Sequence, residues 1–150
     1  MREQGGRILA LDVGERRIGV AITDPTGATA QPLQTVVRTG QDGGLTRLVA
    51  MIRRYDVKEV VVGLPTRTGG EEGPEARRVR AFARRLRSLT GVPVVFVDER
   101  YSTREAERIL LAADLSRGRR RKVLDHVAAA IVLDTYLARR RVGAGQGEAP

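Results

Sequence analysis

Two apolar runs separated by only three residues open the chain: RILALDV (7–13) and RIGVAITD (17–24) flank the turn Gly14-Glu15-Arg16. A connection that short joins antiparallel neighbours, because parallel strands need a crossover of about a dozen residues. ATAQPLQTVV (28–37) is expected as a third strand, confined by Pro32 toward an edge. Then the period changes. Leu45, Leu48, Val49 and Ile52 recur at helical spacing and predict an amphipathic helix over 42–55. KEVVVGLP (58–65) reads as a buried strand. Pro74 opens a helix whose Ala76, Val79, Phe82, Ala83 and Leu86 share one face, with six arginines between 77 and 87 mostly off it. Gly91 stops that helix, and PVVFVDE (93–99) follows as a strand. Ser102 and Glu105 form a capping-box pattern for a helix to Asp114. A basic run (116–122) precedes a last helix, VLDHVAAAIVLDTYLARR, apolar around most of its circumference and therefore expected to be largely buried.

The order β-β-β-α-β-α-β-α-α predicts an α/β fold. A mixed five-stranded sheet, with an antiparallel hairpin half and a parallel half built by two β-α-β crossovers, is flanked by helices. One domain is expected over 1–141, and VGAGQGEAP (142–150) reads as a flexible tail. No stretch approaches the roughly 18 apolar residues of a membrane span, and residues 1–10 lack a signal-peptide core, so a cytoplasmic protein with no membrane anchor is expected.

Charge narrows the partners. Lys and Arg number 27 against 18 acidic residues, a net charge of +9, and all but Lys58 and Lys122 are arginine, whose planar fork suits bidentate phosphate contacts. Such a surface attracts nucleic acid, although arginine also solvates helices without any partner. Five aromatic residues and no Trp argue against a base-stacking platform and for backbone recognition. Cysteine is absent and His126 is the sole histidine, which excludes thiol catalysis and Cys- or His-rich zinc sites.

Acids stand where a carboxylate is costly. Asp12 ends one apolar strand, Asp98 and Glu99 end another, and Asp125 lies in the first turn of the last helix beside Ala128, Ala129 and Ala130. A buried carboxylate requires a partner or a metal, and acids at strand ends lie where open α/β sheets bind ligands. If the two strands are neighbours and the helix crosses them, Asp12, one of Asp98 and Glu99, and Asp125 converge. An all-oxygen set selects Mg²⁺ or Mn²⁺, and paired ions of that kind clamp a phosphodiester during displacement. Asp98 and Glu99 point to opposite faces, and Glu99 is favoured for its longer reach. Each acid also has a plainer reading. Asp12 can bond the turn amides at Gly14, Asp98 or Glu99 can pair with Arg100 or Arg104, and Asp125 suits a helix start through the dipole alone.

Four blocks, LDVGERRIGVAITD (11–24), VVGLP (61–65), VDERYST (97–103) and KVLDHVAAAIVLDTYL (122–137), resemble the YqgF/RuvX family of the ribonuclease H-like superfamily, in order over 7–138. The resemblance implies a ribonuclease H-like fold and a divalent-metal-dependent nuclease using a two-metal mechanism. It further implies pre-16S ribosomal RNA processing or Holliday-junction resolution as the task. Carried over by motif, Asp12, Glu99 and Asp125 are the catalytic and metal-holding acids. Tyr101, Thr66, Gly69 and Asp134 depart from the family's usual Leu, Leu, Asp and Gln.

Around the acids, Arg117, Arg119, Arg120, Arg121 and Lys122 are candidates for gripping phosphates flanking the scissile bond, with a solvated loop as the alternative. Arg100 is a candidate for charge stabilisation or a local ion pair, and Tyr101 for stacking on a base or packing. His126 diverges by about 100° from Asp125 on a helix and is left out of the catalytic set. Pre-rRNA or branched DNA is the expected partner, for a monomer or a homodimer. Two other functions share the same fold and charge. A sugar-kinase-like ATPase needs two such domains, which the length opposes, and a non-catalytic nucleic-acid-binding factor does not need the three acids together.

Overall fold

The computed structural model describes residues 6–67, 69–98 and 127–141. Five strands form one sheet: β1 (Arg7–Val13), β2 (Arg17–Thr23), β3 (Ala30–Val37), β4 (Val57–Leu64) and β5 (Val94–Asp98), in the spatial order β3-β2-β1-β4-β5. The β1–β2 and β2–β3 pairs are antiparallel, and β4 pairs in parallel with both β1 and β5. This is the mixed, hairpin-led sheet that the strand order predicts. Gly14 closes the hairpin by donating its N–H to the Arg17 carbonyl at 2.9 Å. β3 is the edge strand anticipated from Pro32, and the register slips where Ala21 meets Pro32, so the missing N–H falls at an irregularity.

Helices α1 (Leu45–Arg54) and α2 (Pro74–Thr90) follow β3 and β4. The start of α1 comes three residues later than its apolar spacing predicts. Gly43 and Gly44 adopt positive φ of 59° and 96°, a left-handed turn that no helix can include. The Asp42 carboxylate accepts the Gly44 and Thr46 N–H groups at 3.1 and 3.2 Å, satisfying donors that a helix start leaves open. α2 begins at Pro74 and ends at Gly91, whose φ of 73° is the usual left-handed helix terminator.

Strand alternation divides the core in two. Leu9, Leu11, Val20, Val60 and Val62 pack against α1 and α2 through Leu48, Ile52, Val79, Phe82 and Leu86. On the opposite face Ile8, Ala10, Ala21, Val61 and Val97 meet a helix over 127–141 through Ala129, Ala130, Val132, Leu133 and Leu137. Alanines on both sides of that second interface let helix and sheet approach closely. In its described part the helix buries Ala128, Ala129, Ala130, Val132, Leu133 and Leu137, while Asp134 and residues 138–141 are exposed, so it is buried on one side and not around most of its circumference. Its carboxyl end lies at the amino ends of β1 and β4. The Tyr136 hydroxyl donates to Glu59 Oε2 at 2.9 Å, and Leu137 and Arg140 border a cleft with Gly6 and Ile8 at the amino ends of the strands. The capping-box helix, the basic run and the 142–150 tail lie outside the described residues.

Acid sensitivity follows from two exposed turns. Asp24 accepts the Thr26 hydroxyl at 2.8 Å and the Ala28 N–H at 2.8 Å, and these bonds hold its carboxyl below the usual value of 3.8. Asp42 is lowered likewise, first by the Thr46 hydroxyl and then by the Gly44 and Thr46 amides. With folded-state values depressed, their stabilisation is complete above the unfolded value and is lost as pH falls through the folded one. The melting temperature is therefore expected to fall as pH drops below about 4. The drop should be shallower in the Asp24→Asn/Asp42→Asn double variant, as read by circular dichroism melts.

Candidate active site at the carboxyl edge of the sheet

The parallel strands β1, β4 and β5 all end on one edge, and Asp12 lies there, half-buried. Asp12 is paired with Gly19 of β2. One step beyond the Leu11–Val62 pair, its level on β4 is Gly63, which in turn pairs with Val97 of β5. Residues at one level of a sheet share a face. The row Gly19, Asp12, Gly63, Val97 therefore lies on the side covered by the 127–141 helix, as Ala10 and Val97 in that core require. Glycine on both sides leaves the positions level with Asp12 on β2 and β4 without a side chain. Interior strand glycines are the signal that marks such an opening in a sequence, and Gly19 and Gly63 escaped the reading of acids alone.

The two acid-bearing strands are not neighbours: β4 separates β1 from β5, placing them about 9.6 Å apart. Convergence across that gap crosses the bare position at Gly63. Asp98 is on the other face. It follows Val94 and Phe96, which pack toward α1 and α2, and its Oδ1 accepts the Thr66 hydroxyl at 2.8 Å. Thr66 thus anchors the loop after β4 to the end of β5.

That loop is fastened at further points. Arg67 and Glu71 share a backbone hydrogen bond of 2.8 Å, and Gly70 donates to the Arg67 carbonyl at 2.7 Å. Arg80 of α2 grips Glu72 with a fork at 2.8 and 2.7 Å and stacks over Phe96, 4.7 Å from the ring centre. This pairing holds Glu72 below and Arg80 above their ordinary values.

Arg38 fastens the other side of the edge. Its Nε donates to the Gly43 carbonyl at 2.9 Å, another nitrogen donates to the Gly14 carbonyl at 2.7 Å, and the guanidinium lies 4.8 Å from the centre of Phe82. One side chain so ties the β1–β2 turn to the loop before α1 and to α2. Loss of two charge-assisted bonds predicts that Arg38→Ala costs about 2 kcal/mol and lowers the melting temperature by about 4–8 °C. Arg38→Lys should recover little, because a point charge cannot make both bonds in the fork geometry. Beside these residues a groove of about 770 Å³ runs from Gly14 and Pro65 to Arg78 and Val79.

Among the described residues no three His, Cys, Asp or Glu side chains come together as a metal cluster. Asp12 is described. Glu99 and Asp125, with Arg100, Tyr101, Arg117, Arg119, Arg120, Arg121, Lys122 and His126, lie outside the described residues. No helix among the described residues is long and apolar enough to cross a membrane.

Comparison with known proteins identifies the family. A relative from Moorella thermoacetica is 53% identical over 133 residues, covering 89% of this chain and 95% of its own length. One from Symbiobacterium thermophilum is 50% identical over 134 residues, covering 89% and 93%. Both bear the name "Putative pre-16S rRNA nuclease". Among solved structures, Thermus thermophilus RuvC in complex with a Holliday junction substrate superposes with a TM-score of 0.57 at 15% identity, covering 90% of this chain and 96% of that one. The fowlpox virus resolvase with its junction DNA gives 0.56 at 11% identity, covering 89% and 97%. At such identities these two share the fold. The family model described as RuvX, Holliday junction resolvase, matches residues 6–139, and the chain accordingly belongs to the RuvX family of ribonuclease H-like nucleases.

Proposed function

We propose that this nuclease hydrolyses phosphodiester bonds of structured nucleic acid with Mg²⁺ or Mn²⁺ held by Asp12, Glu99 and Asp125. Its task on this reading is the cytoplasmic processing of pre-16S ribosomal RNA. The observation that carries the proposal is the place of Asp12: at the carboxyl edge, flanked by glycines, on the face that the 127–141 helix covers. Two regularities extend it to the other acids. Period-2 alternation in the sequence sets Glu99 opposite Asp98 on this reading, and Asp98 is engaged with Thr66 on the side of α1 and α2. In the helix that the sequence pattern predicts, Asp125 would share a column with Ala129 and Leu133, four and eight residues on. The lengths agree as well. From Ala129 to Leu137 a helix rises about 12 Å, and from Ile8 to Asp12 a strand rises about 13 Å. With Leu137 and Ile8 lining one cleft at the amino ends of the strands, Ala129 lies toward the Asp12 edge on this reading.

The donor set fits a hard divalent cation, being all carboxylate oxygen in a chain without cysteine. Ions held there would polarise the phosphodiester and make an attacking water more acidic. The protein's own part is to keep the carboxylates ionised and in register, which a stiff strand end does better than a loop. Arg100, Tyr101 and the basic run Arg117, Arg119, Arg120, Arg121 and Lys122 supply contacts to the substrate on this reading, in a monomer or a homodimer. The names of the relatives favour ribosomal precursor RNA, while the family description favours four-way DNA junctions as the second reading. The test sets both substrates side by side with Mg²⁺, Mn²⁺ or EDTA, and Asp125→Asn as control. Metal-dependent cleavage of the precursor RNA is expected. Cleavage of the junction alone would transfer the assignment to recombination, and cleavage of neither would leave a binding factor.

A further inference from the structure

The outer surface of α2 carries more positive charge than a solvated helix needs. Its 17 residues include six arginines and one acid, Glu75. Solvated helices gain stability by alternating charge sign at three- and four-residue spacing, whereas here Arg77 and Arg80, Arg80 and Arg84, and Arg84 and Arg87 repeat the same sign. Arg80 is neutralised by Glu72, and Arg87 suits the last turn through the helix dipole. Arg77, Arg78, Arg84 and Arg85 have neither explanation. All four are exposed. Arg77 and Arg78 stand near the amino end of α2, where the dipole disfavours a cation. Only the weak pull between Arg85 and Asp42 touches any of the four among the described residues.

Their arrangement is regular. Arg77 and Arg84, like Arg78 and Arg85, are seven residues apart, so they form two tiers about 10.5 Å from each other on adjoining columns of the helix. The upper tier adjoins the active edge, because Arg78 lines the groove that begins at Gly14 and Pro65. Glu15 and Glu75 line the same groove and repel phosphate beside them, which leaves the arginine face of the helix as the attractive path.

We propose that Arg77, Arg78, Arg84 and Arg85 form a docking surface for the phosphate backbone of the nucleic-acid duplex flanking the cleavage site. The inference rests on the nuclease reading above, and it adds a second contact surface on the sheet face opposite Asp12. Docking there holds the substrate while its scissile bond lies at the edge between the two faces.

The test measures anisotropy of a labelled 20-base-pair RNA duplex with the full chain in EDTA, from 50 to 300 mM salt. The Arg77→Gln/Arg78→Gln and Arg84→Gln/Arg85→Gln variants should each bind about tenfold more weakly near 0.1 M salt. Each lost contact should also flatten the log–log salt dependence by about 0.7–0.9. Arg53→Gln/Arg54→Gln removes the same net charge from the last turn of α1, at the other end of the sheet, and should weaken binding less. Glu75→Gln should tighten it, an opposite sign that loss of structure does not produce. All these side chains are exposed, and melts confirm that each variant folds. Unchanged affinity and slope in both α2 variants, or an equal loss in the α1 control, would overturn the proposal. So would intact RNA binding with lost binding to phosphatidylglycerol vesicles, which would assign the face to a lipid surface. A wild type that docks RNA through α2 and cleaves nothing would instead refute the nuclease reading alone.

Discussion

Asp12→Asn is expected to lower metal-dependent cleavage by about 10³-fold while leaving the chain folded and able to bind nucleic acid. The amide keeps the size of the carboxylate and removes one formal negative charge from a site proposed to hold divalent cations. Losing about 4 kcal/mol of transition-state stabilisation corresponds to that factor. Asp125→Asn should behave alike, and the two together should lose little more than either alone, because ligands of one metal site act as a unit. Single-turnover cleavage with saturating metal, alongside anisotropy in EDTA, separates chemistry from binding. Full activity in Asp12→Asn would remove Asp12 from the mechanism whatever the metal requirement.

Leu133→Ala and Leu11→Ala form a matched pair whose stabilities should fall together and whose activities should not. Both leucines are fully buried, one under the 127–141 helix and the other under α1 and α2. Each truncation is expected to cost about 3 kcal/mol, or about 6–12 °C of melting temperature. Leu133 anchors the helix proposed to carry Asp125, so its loss should also raise the metal concentration needed for half-maximal cleavage, measured well below the melting temperature. The Leu11 cavity lies on the other side of the sheet and should leave that concentration near the wild-type value. Equal metal dependence in both variants would show that the helix does not position a metal ligand.

Legibility differed from element to element. The Gly14 hairpin was plain because three residues can close only an antiparallel pair, and Pro74 and Gly91 bound α2 by backbone restriction alone. The start of α1 was misplaced because Leu45, Leu48 and Ile52 report a buried face and not where the helix begins. The left-handed Gly43–Gly44 turn and the Asp42 cap decide that locally. Among the acids, Asp12 stood out from its apolar strand. Alternation showed that Asp98 and Glu99 diverge, but the Thr66 bond that engages Asp98 joins residues 32 apart in sequence. Arg38 was one guanidinium among 25 arginines until its contacts with Gly14, Gly43 and Phe82 distinguished it.

Sequence by itself determined the kinds of element and their order among the described residues, the oxygen-only chemistry of any metal site and the attraction to polyanions. Those properties follow from local periodicity, backbone restriction and composition, none of which depends on distant contacts. Only the tertiary structure decided that β4 lies between β1 and β5, that glycines flank Asp12, and that the last described helix covers the Asp12 face while α2 turns its arginines outward on the other. Strand order and helix placement are set by how two apolar faces of one sheet are buried at once, and that is a property of the whole chain.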